Sequence, residues 1–142
     1  MKCYIWSTLL YAAETWTLSV ANMKKIQSFE LWCYRRILRI PWTARVTNEV
    51  MLQRMGCTME LAKLAGRRKL QYFGHIIRAK KLQRALLEAK INGRRARGRP
   101  RKSWSTNITE WTGLSYAQSV RAVQDRRQWR AIISSYPVQD GT

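Results

Sequence analysis

Apolar side chains recur at steps of three and four residues along most of the chain, which is the period of a helix with one buried face. The clearest helix is predicted from Val20 to Arg39, and Pro41 should end it because a proline disfavours helical backbone in the residue before it. The predicted buried stripe of this helix consists of Ile26, Phe29, Cys33, Ile37 and Ile40. No sustained alternation typical of strands occurs, so the pattern predicts an all-α protein.

Further helices are predicted from the same period over 3–15, 49–55, 59–79, 82–91, 103–111 and 115–123, with apolar spacing that continues to 133. A strand is the competing interpretation for 3–10, where residues that favour sheets are common. Gly66 and Gly74 lie inside the long helix 59–79, where a glycine costs about 1 kcal/mol relative to alanine. We expect another backbone to approach the helix closely at these two positions.

The stretch from Gly93 to Lys102 interrupts the helical pattern with six basic side chains, two glycines, one proline and no acid. Side chains of this kind do not enter a core, and arginines this dense repel one another unless a polyanion lies between them. The expected organisation is therefore a small helical bundle over 1–90, a basic Arg/Gly/Pro arm over 91–102 and C-terminal helices over 103–136.

The charge of the chain indicates its partner. The 142 residues include 27 Lys and Arg against 8 Asp and Glu, a formal net charge of +19. Such an excess destabilises a compact protein by self-repulsion, and nucleic acid is the usual polyanion that relieves it. A membrane partner is not expected, because the helices lack one clean apolar face opposite a lysine face. With 46% hydrophobic residues the chain is not a disordered tail.

Catalytic and metal chemistry are not indicated. The eight carboxylates are never adjacent or at helical spacing, so no local pair could hold two metal ions for phosphoryl transfer. His75, the single histidine, is interpreted as a structural residue, and three scattered cysteines provide no zinc site. The odd cysteine count suits a reducing compartment. Without a recognisable signal peptide or membrane span, we expect a nuclear or cytoplasmic protein with no cofactor of its own.

The predicted nucleic-acid contacts are basic residues on two helices and on the arm, with a solvated face as the alternative for each. They are Arg35, Arg36, Arg39, Arg67, Arg68, Lys69, Arg94, Arg95, Arg97, Arg99, Arg101 and Lys102. Within the arm, the Arg-Gly-Arg-Pro sequence at 97–100 has the form of a minor-groove hook, although sequence-independent phosphate contact and a solvated linker remain open.

The seven tryptophans have two interpretations. Five of them sit at helical spacing among aliphatic neighbours, which favours a place in the core over base stacking. These five are Trp16, Trp32, Trp104, Trp111 and Trp129. Trp42 follows a proline in a connector and is the better candidate for stacking on a base.

Six blocks of the sequence resemble, in order, the C-terminal part of the reverse transcriptase encoded by non-LTR (LINE-type) retrotransposons. The blocks are LLYAAETWTL at 9–18, FELWCYRRILRIPWT at 29–43, RRKLQYFGHIIR at 67–78, GRPRKSW at 98–104, WTGLS at 111–115 and DRRQWR at 125–130. The blocks are distributed over most of the chain, from residue 9 to residue 130. The family usually has a glycine where Ala12 stands, and its block around 46–50 is one residue longer than here.

The resemblance implies that 1–90 corresponds to the polymerase thumb, followed by the arm and a post-polymerase segment, which together grip template and primer. In the family the catalytic aspartates and the divalent metal belong to a palm upstream of this region. The resemblance therefore implies that neither these aspartates nor the family's endonuclease is part of this chain. The expected function is that of a nucleic-acid-binding fragment of an RNA-directed DNA polymerase, with RNA template, DNA primer or duplex as its partner. The alternatives are a co-opted DNA- or chromatin-binding protein that uses the hook, and an intact enzyme of which this chain is one part.

Overall fold

The computed structural model describes residues 2–79, 82–89, 97–98 and 101–136. Within these ranges the chain forms α-helices and short turns of π-helix or 3₁₀-helix at Lys2–Trp6, Ala13–Thr15 and Trp42–Ala44, and it forms no strand. The α-helices are α1 Ser7–Leu9, α2 Val20–Ile37, α3 Asn48–Met55, α4 Leu61–Ala79, α5 Leu82–Glu88, α6 Thr106–Thr112, α7 Tyr116–Ala122 and α8 Arg126–Ser134. The all-α prediction is confirmed.

The first predicted helix, over 3–15, is broken in the structure. A π-helical turn and α1 are followed by a reversal at Ala12, whose φ of 53° lies in the left-handed region. A side chain with a Cβ adopts this region at a cost of roughly 1–2 kcal/mol, whereas glycine adopts it freely. The buried residues of this segment, Trp6, Leu10 and Ala13, are spaced by four and three positions, but they belong to a compact turn rather than to one continuous helix.

Helix α2 begins as predicted and ends earlier than predicted. The side chain of Ser19 accepts a hydrogen bond from the backbone N–H of Asn22 at 3.2 Å and caps the first turn. The helix ends at Ile37. Its buried face is centred on Glu30, Cys33 and Tyr34, and Ile37 is half exposed, so the predicted stripe is rotated from the observed one.

The start of α4 is held by a side chain of α2. The Glu30 carboxylate is fully buried and accepts hydrogen bonds from the backbone N–H groups of Glu60 at 2.9 Å and Leu61 at 3.0 Å. It also accepts the Tyr34 hydroxyl at 2.8 Å. Burial, and then this bond to Glu30, raise the pKa of Tyr34. A carboxylate at a helix N-terminus satisfies N–H groups that lack partners within the helix.

Helix α4 joins two hydrophobic clusters. Its N-terminal half contributes Leu61 and Ala65 to a cluster with the first 18 residues, α2 and α3. Its C-terminal half contributes Phe73 and Ile77 to a cluster with α6, α7 and α8. The C-terminal helices therefore pack on the same central helix as the N-terminal part of the chain. The predicted division of the chain at 90 and 102 stays a prediction.

Two glycines of α4 make this packing possible. A Cβ at Gly74 would lie 2.6 Å from Nε1 of Trp129, and a Cβ at Gly66 would lie 2.4 Å from the ring of Tyr136. Real Cβ atoms are not found at such distances, so both positions require glycine in this packing. The predicted close approach exists, but aromatic side chains make it rather than a second backbone.

Candidate nucleic-acid interface

A surface groove at the end of α2 brings together two exposed tryptophans and three arginines. Trp42 is 90% exposed and Trp32 is 53% exposed, although both side chains are large and apolar. The groove has a volume of about 470 Å³ and is lined by Trp32, Arg35, Arg36, Arg39, Ile40, Pro41 and Trp42. We call it the tryptophan–arginine groove.

The local sequence explains how the groove forms. The backbone N–H of Ile40 donates to the carbonyl of Arg35 at 3.0 Å, which closes the last turn of α2 around Arg39. Arg39 itself has a φ of 51°, a left-handed conformation that glycine usually supplies at this position. The chain then turns into extended backbone at Pro41, with φ −68° and ψ 153°. This reversal places Trp42 beside the side chains of α2.

Two of the groove side chains are held in place by neighbours. The Trp32 ring stacks on Phe29 with a centroid distance of 6.0 Å, and the Arg36 guanidinium lies 5.1 Å from the Trp32 centroid. Arg35 donates from Nη2 to the carbonyl of Val46 at 2.7 Å. It also donates to a side-chain oxygen of the α3 residue Asn48 at 3.0 Å. Arg36 and Arg39 are exposed.

The groove has the chemistry that nucleic acid requires. A base can stack on an exposed tryptophan ring, and an adjacent phosphate can accept hydrogen bonds from a guanidinium. Among the described residues that line the groove there is no carboxylate to compete with a phosphate. Trp32 was expected in the core, and its exposure corrects that prediction. The helical period alone could not reveal this, because the observed buried face of α2 lies elsewhere on the helix.

The second predicted basic group is divided by the structure. Arg67 is exposed on α4 and remains available to a phosphate. Arg68 is half-buried and donates from Nη1 to the carbonyl of Leu10 at 3.0 Å, so it holds the N-terminal turn against α4. Lys69 is fully buried, and the prediction that it contacts a phosphate is wrong.

The Lys69 ammonium is enclosed by acceptors and aromatic rings. Nζ donates to the carbonyl of Trp16 at 2.7 Å and to Oδ1 of Asn107 at 2.8 Å. It lies 4.7 Å from the ring centroid of Trp104 and 5.6 Å from that of Trp111. These contacts partly replace the water that a buried ammonium loses.

The environment of Lys69 also changes its titration. Burial, and then the charge of Lys102, lower the pKa of Lys69 to about 7, while the carboxylate of Glu110 acts in the opposite direction. The sequence contains a signal for this burial: Leu61, Ala65 and Phe73 form a buried row, and Lys69 occupies the step between them.

The arm residues are described only in part. Arg94, Arg95 and Arg99 lie outside the described residues, as does half of the hook, residues 99–100. Arg97 and Arg101 are exposed. Lys102 forms an ion pair with the Glu110 carboxylate, and an exposed pair of this kind contributes little to stability. The role of the hook stays a prediction.

The predicted core tryptophans occupy several environments. Trp129 is buried and donates from Nε1 to the carbonyl of Leu70 at 3.1 Å. Trp16, Trp104 and Trp111 are half-buried and pack against the two clusters. Four of the five predicted core tryptophans thus contact a core, and Trp42 is the most exposed of the large apolar side chains that the structure describes.

Comparison of the chain with models of protein families, with curated proteins and with solved structures gives no match. Of the helices in the described ranges, none combines the length and the apolarity needed to cross a membrane. Those ranges also contain no group of three or more His, Cys, Asp or Glu side chains placed to hold a metal ion.

Proposed function

We propose that this chain is a nucleic-acid-binding C-terminal fragment of a non-LTR retrotransposon reverse transcriptase. It grips template and primer for a polymerase centre that lies elsewhere in the parent protein, and it acts inside the cell, in the nucleus or the cytoplasm. The observation that carries the proposal is the tryptophan–arginine groove, in which Trp42 is 90% exposed beside arginines on a chain of net charge +19.

The exposed rings of Trp32 and Trp42 lie in one groove and together form an apolar surface that a partner could cover. A tryptophan in water lacks much of the stabilisation that burial of a large aromatic side chain gives. Because these rings lie beside cations, a ligand with flat apolar faces and negative charge would suit the groove. A nucleic-acid strand combines both features, because its bases have π-faces and its phosphates are anionic. The neighbouring Arg36 and Arg39 supply the charge.

The backbone at Ala12 gives separate support to the reverse-transcriptase part of the proposal. Its φ of 53° is a conformation that favours glycine. The resembled family usually has glycine at this position. The turn at Ala12 therefore has the backbone conformation for which the family's usual glycine is best suited.

Equilibrium binding as a function of salt tests the proposal. Fluorescence anisotropy with a labelled single strand, a duplex and an RNA–DNA hybrid measures the affinity between about 50 and about 200 mM salt. We expect binding to all three to weaken steeply, with a log–log slope of several, because several phosphates are neutralised. A flat salt response, or no binding at low salt, would contradict the proposal.

The same experiment separates the alternative function. Tighter binding to A·T-rich duplex than to mixed duplex, lost on Arg97→Ala together with Arg99→Ala, would favour a DNA-binding protein that uses the minor groove.

A further inference from the structure

A second basic groove lies between α4 and α8. Two rows of polar side chains face each other across it, and Ala79, Trp129 and Ile133 form its apolar part. The rows are Gln71, His75 and Arg78 on α4, and Arg126, Arg130 and Ser134 on α8. The groove has a volume of about 680 Å³, and we call it the α4–α8 cleft.

The rows are elongated. The α4 row has steps of four and three residues and the α8 row has two steps of four, so each row lies along one face of its helix. With a rise of about 1.5 Å per residue, the rows are roughly 10 and 12 Å long. One strand of B-DNA carries a phosphate per roughly 3.4 Å of helix axis. The cleft is therefore long enough for a strand, and longer than a single phosphate needs.

All six polar side chains in the two rows can donate hydrogen bonds, and the three arginines are positively charged. Arg78 is held in position by a hydrogen bond from Nη1 to the carbonyl of Val123 at 3.1 Å. Burial, and then the positive charges of Arg126 and Arg130 on the facing helix, lower the pKa of Arg78. No carboxylate is among the described residues that line the cleft.

The nearest carboxylate along α8 is already engaged. Asp125 precedes the helix and accepts hydrogen bonds from the backbone N–H groups of Arg127 at 2.8 Å and Gln128 at 3.3 Å. It therefore serves as the helix cap. An anion between the two rows would relieve the repulsion among the arginines.

We propose that the α4–α8 cleft binds the sugar–phosphate backbone of a nucleic-acid strand, as a second contact besides the tryptophan–arginine groove. The cleft offers no exposed tryptophan, tyrosine or phenylalanine ring, because Trp129 is 2% exposed, so we expect contacts to the phosphates to dominate there. It takes phosphates without regard to sequence. This inference rests on the proposed function.

Binding in the cleft can be followed by NMR through the signals of the single histidine. His75 is exposed, lines the cleft and is the one histidine of the chain, so its imidazole C–H resonances identify themselves in an NMR spectrum. The indole N–H resonance of Trp42 reports on the other groove and is assigned by its loss in Trp42→Phe. The full chain is titrated with a single-stranded oligodeoxynucleotide at constant pH, and in a parallel arm with inorganic phosphate.

The test variant is Arg126→Gln with Arg130→Gln, which removes two charges from exposed positions of the cleft. Arg127→Gln is the matched control, because Arg127 is exposed on the same helix but does not line the cleft. We expect the oligonucleotide to shift the His75 and Trp42 resonances of the wild-type protein. The double variant should lose the His75 shift, keep the Trp42 shift, and show a log–log salt slope smaller by about 1 per arginine removed.

Three results would overturn the inference. In the first, the oligonucleotide shifts Trp42 but not His75, which leaves the proposed function intact. In the second, the His75 shift survives the double variant or is lost equally in Arg127→Gln. In the third, inorganic phosphate saturates the His75 shift and the oligonucleotide does not, so that the ligand is a small phosphate compound. If neither resonance moves and no binding occurs, the proposed function fails together with the inference.

Discussion

The Nζ atom of Lys69 donates a hydrogen bond to Oδ1 of Asn107 at 2.8 Å inside the protein. The same Asn107 side chain accepts the backbone N–H of Leu18 at 2.9 Å and donates to the Leu18 carbonyl at 2.7 Å. One lysine and one asparagine thereby connect α4, α6 and the segment before α2. A residue whose charge suggests a surface contact is part of the internal structure.

Replacing Lys69 with methionine should destabilise the fold. Lys69→Met keeps most of the side-chain volume but leaves the part-buried carbonyl of Trp16 without this donor. At about pH 9, where Lys69 is uncharged in the folded protein, we expect the free energy of unfolding to fall by about 1–3 kcal/mol, the usual cost of a buried polar group left unpaired. Urea denaturation measures it, and Lys63→Met on the same helix, a half-exposed site, should change it by no more than about 0.5 kcal/mol.

The nucleic-acid affinity of the folded Lys69→Met protein should equal that of the wild type, with the same salt slope. A variant as stable as the wild type, or one with a reduced salt slope, would show that Lys69 acts at the surface.

The pH dependence of stability should carry the signature of Lys69. Its pKa is lowered from 10.5 to about 7 in the folded protein. Between these two values the unfolded chain binds a proton that the folded protein has released, so the Lys69 contribution to the free energy of unfolding rises with pH. Below pH 7 both states hold the proton and the contribution is constant.

The difference in unfolding free energy between the wild type and Lys69→Met isolates this contribution, because other titrating groups are common to both proteins. Urea denaturation from about pH 6 to about pH 9 should show the difference shifting in favour of the wild type above neutral pH. A difference that is constant, or that shifts the other way, would contradict the assigned environment.

Removing the charge of Glu30 should weaken the start of α4. In Glu30→Gln an amide N–H₂ replaces one carboxylate oxygen and faces a backbone N–H that it cannot satisfy. We expect a loss of about 1–3 kcal/mol in the free energy of unfolding, measured by urea denaturation. Glu49→Gln, at an exposed site on α3, should cost at most about 0.5 kcal/mol. Equal effects of the two variants would argue against the capping role of Glu30.

Replacing Gly74 with alanine should lower the stability of the protein, whereas the same substitution at most helical glycines raises it. Replacing an exposed helical glycine with alanine stabilises a helix by about 1 kcal/mol. At Gly74 the new methyl group would lie 2.6 Å from Nε1 of Trp129, so Gly74→Ala should destabilise the protein by about 1–3 kcal/mol. Thermal denaturation in the wild-type and Trp129→Leu backgrounds forms a double-mutant cycle. The cost of Gly74→Ala should disappear once Trp129 is shortened, and a cost that persists would place the conflict elsewhere.

The sequence predicts what local patterns determine. The periodic spacing located α2 and α4, and the caps at Ser19 and Ser115 fall where short polar side chains precede apolar runs. The burial of Glu30 and Lys69 was not predicted, because all of their hydrogen-bond partners except Tyr34 lie 30 or more positions away, and a charged residue is rarely buried unless it is paired.

The two candidate sites also differ in how far apart their residues lie in the sequence. The tryptophan–arginine groove could be anticipated in part, since its members lie within eleven consecutive residues, 32–42. The α4–α8 cleft could not, because its two rows belong to helices almost 50 positions apart, and these meet through the contact of Gly74 with Trp129.

The most direct test of the central claim is the affinity of Trp42→Ala for a labelled single-stranded oligonucleotide. Trp42 is 90% exposed, so its loss should leave the melting temperature unchanged. Stacking on one ring contributes about 1–3 kcal/mol, so we expect the Kd to rise about five- to 150-fold. Tyr11→Ala, which removes an 83% exposed ring outside the groove, should leave the Kd within about twofold of the wild type. A Trp42→Ala protein that binds as tightly as the wild type, or an equal loss in Tyr11→Ala, would contradict the account.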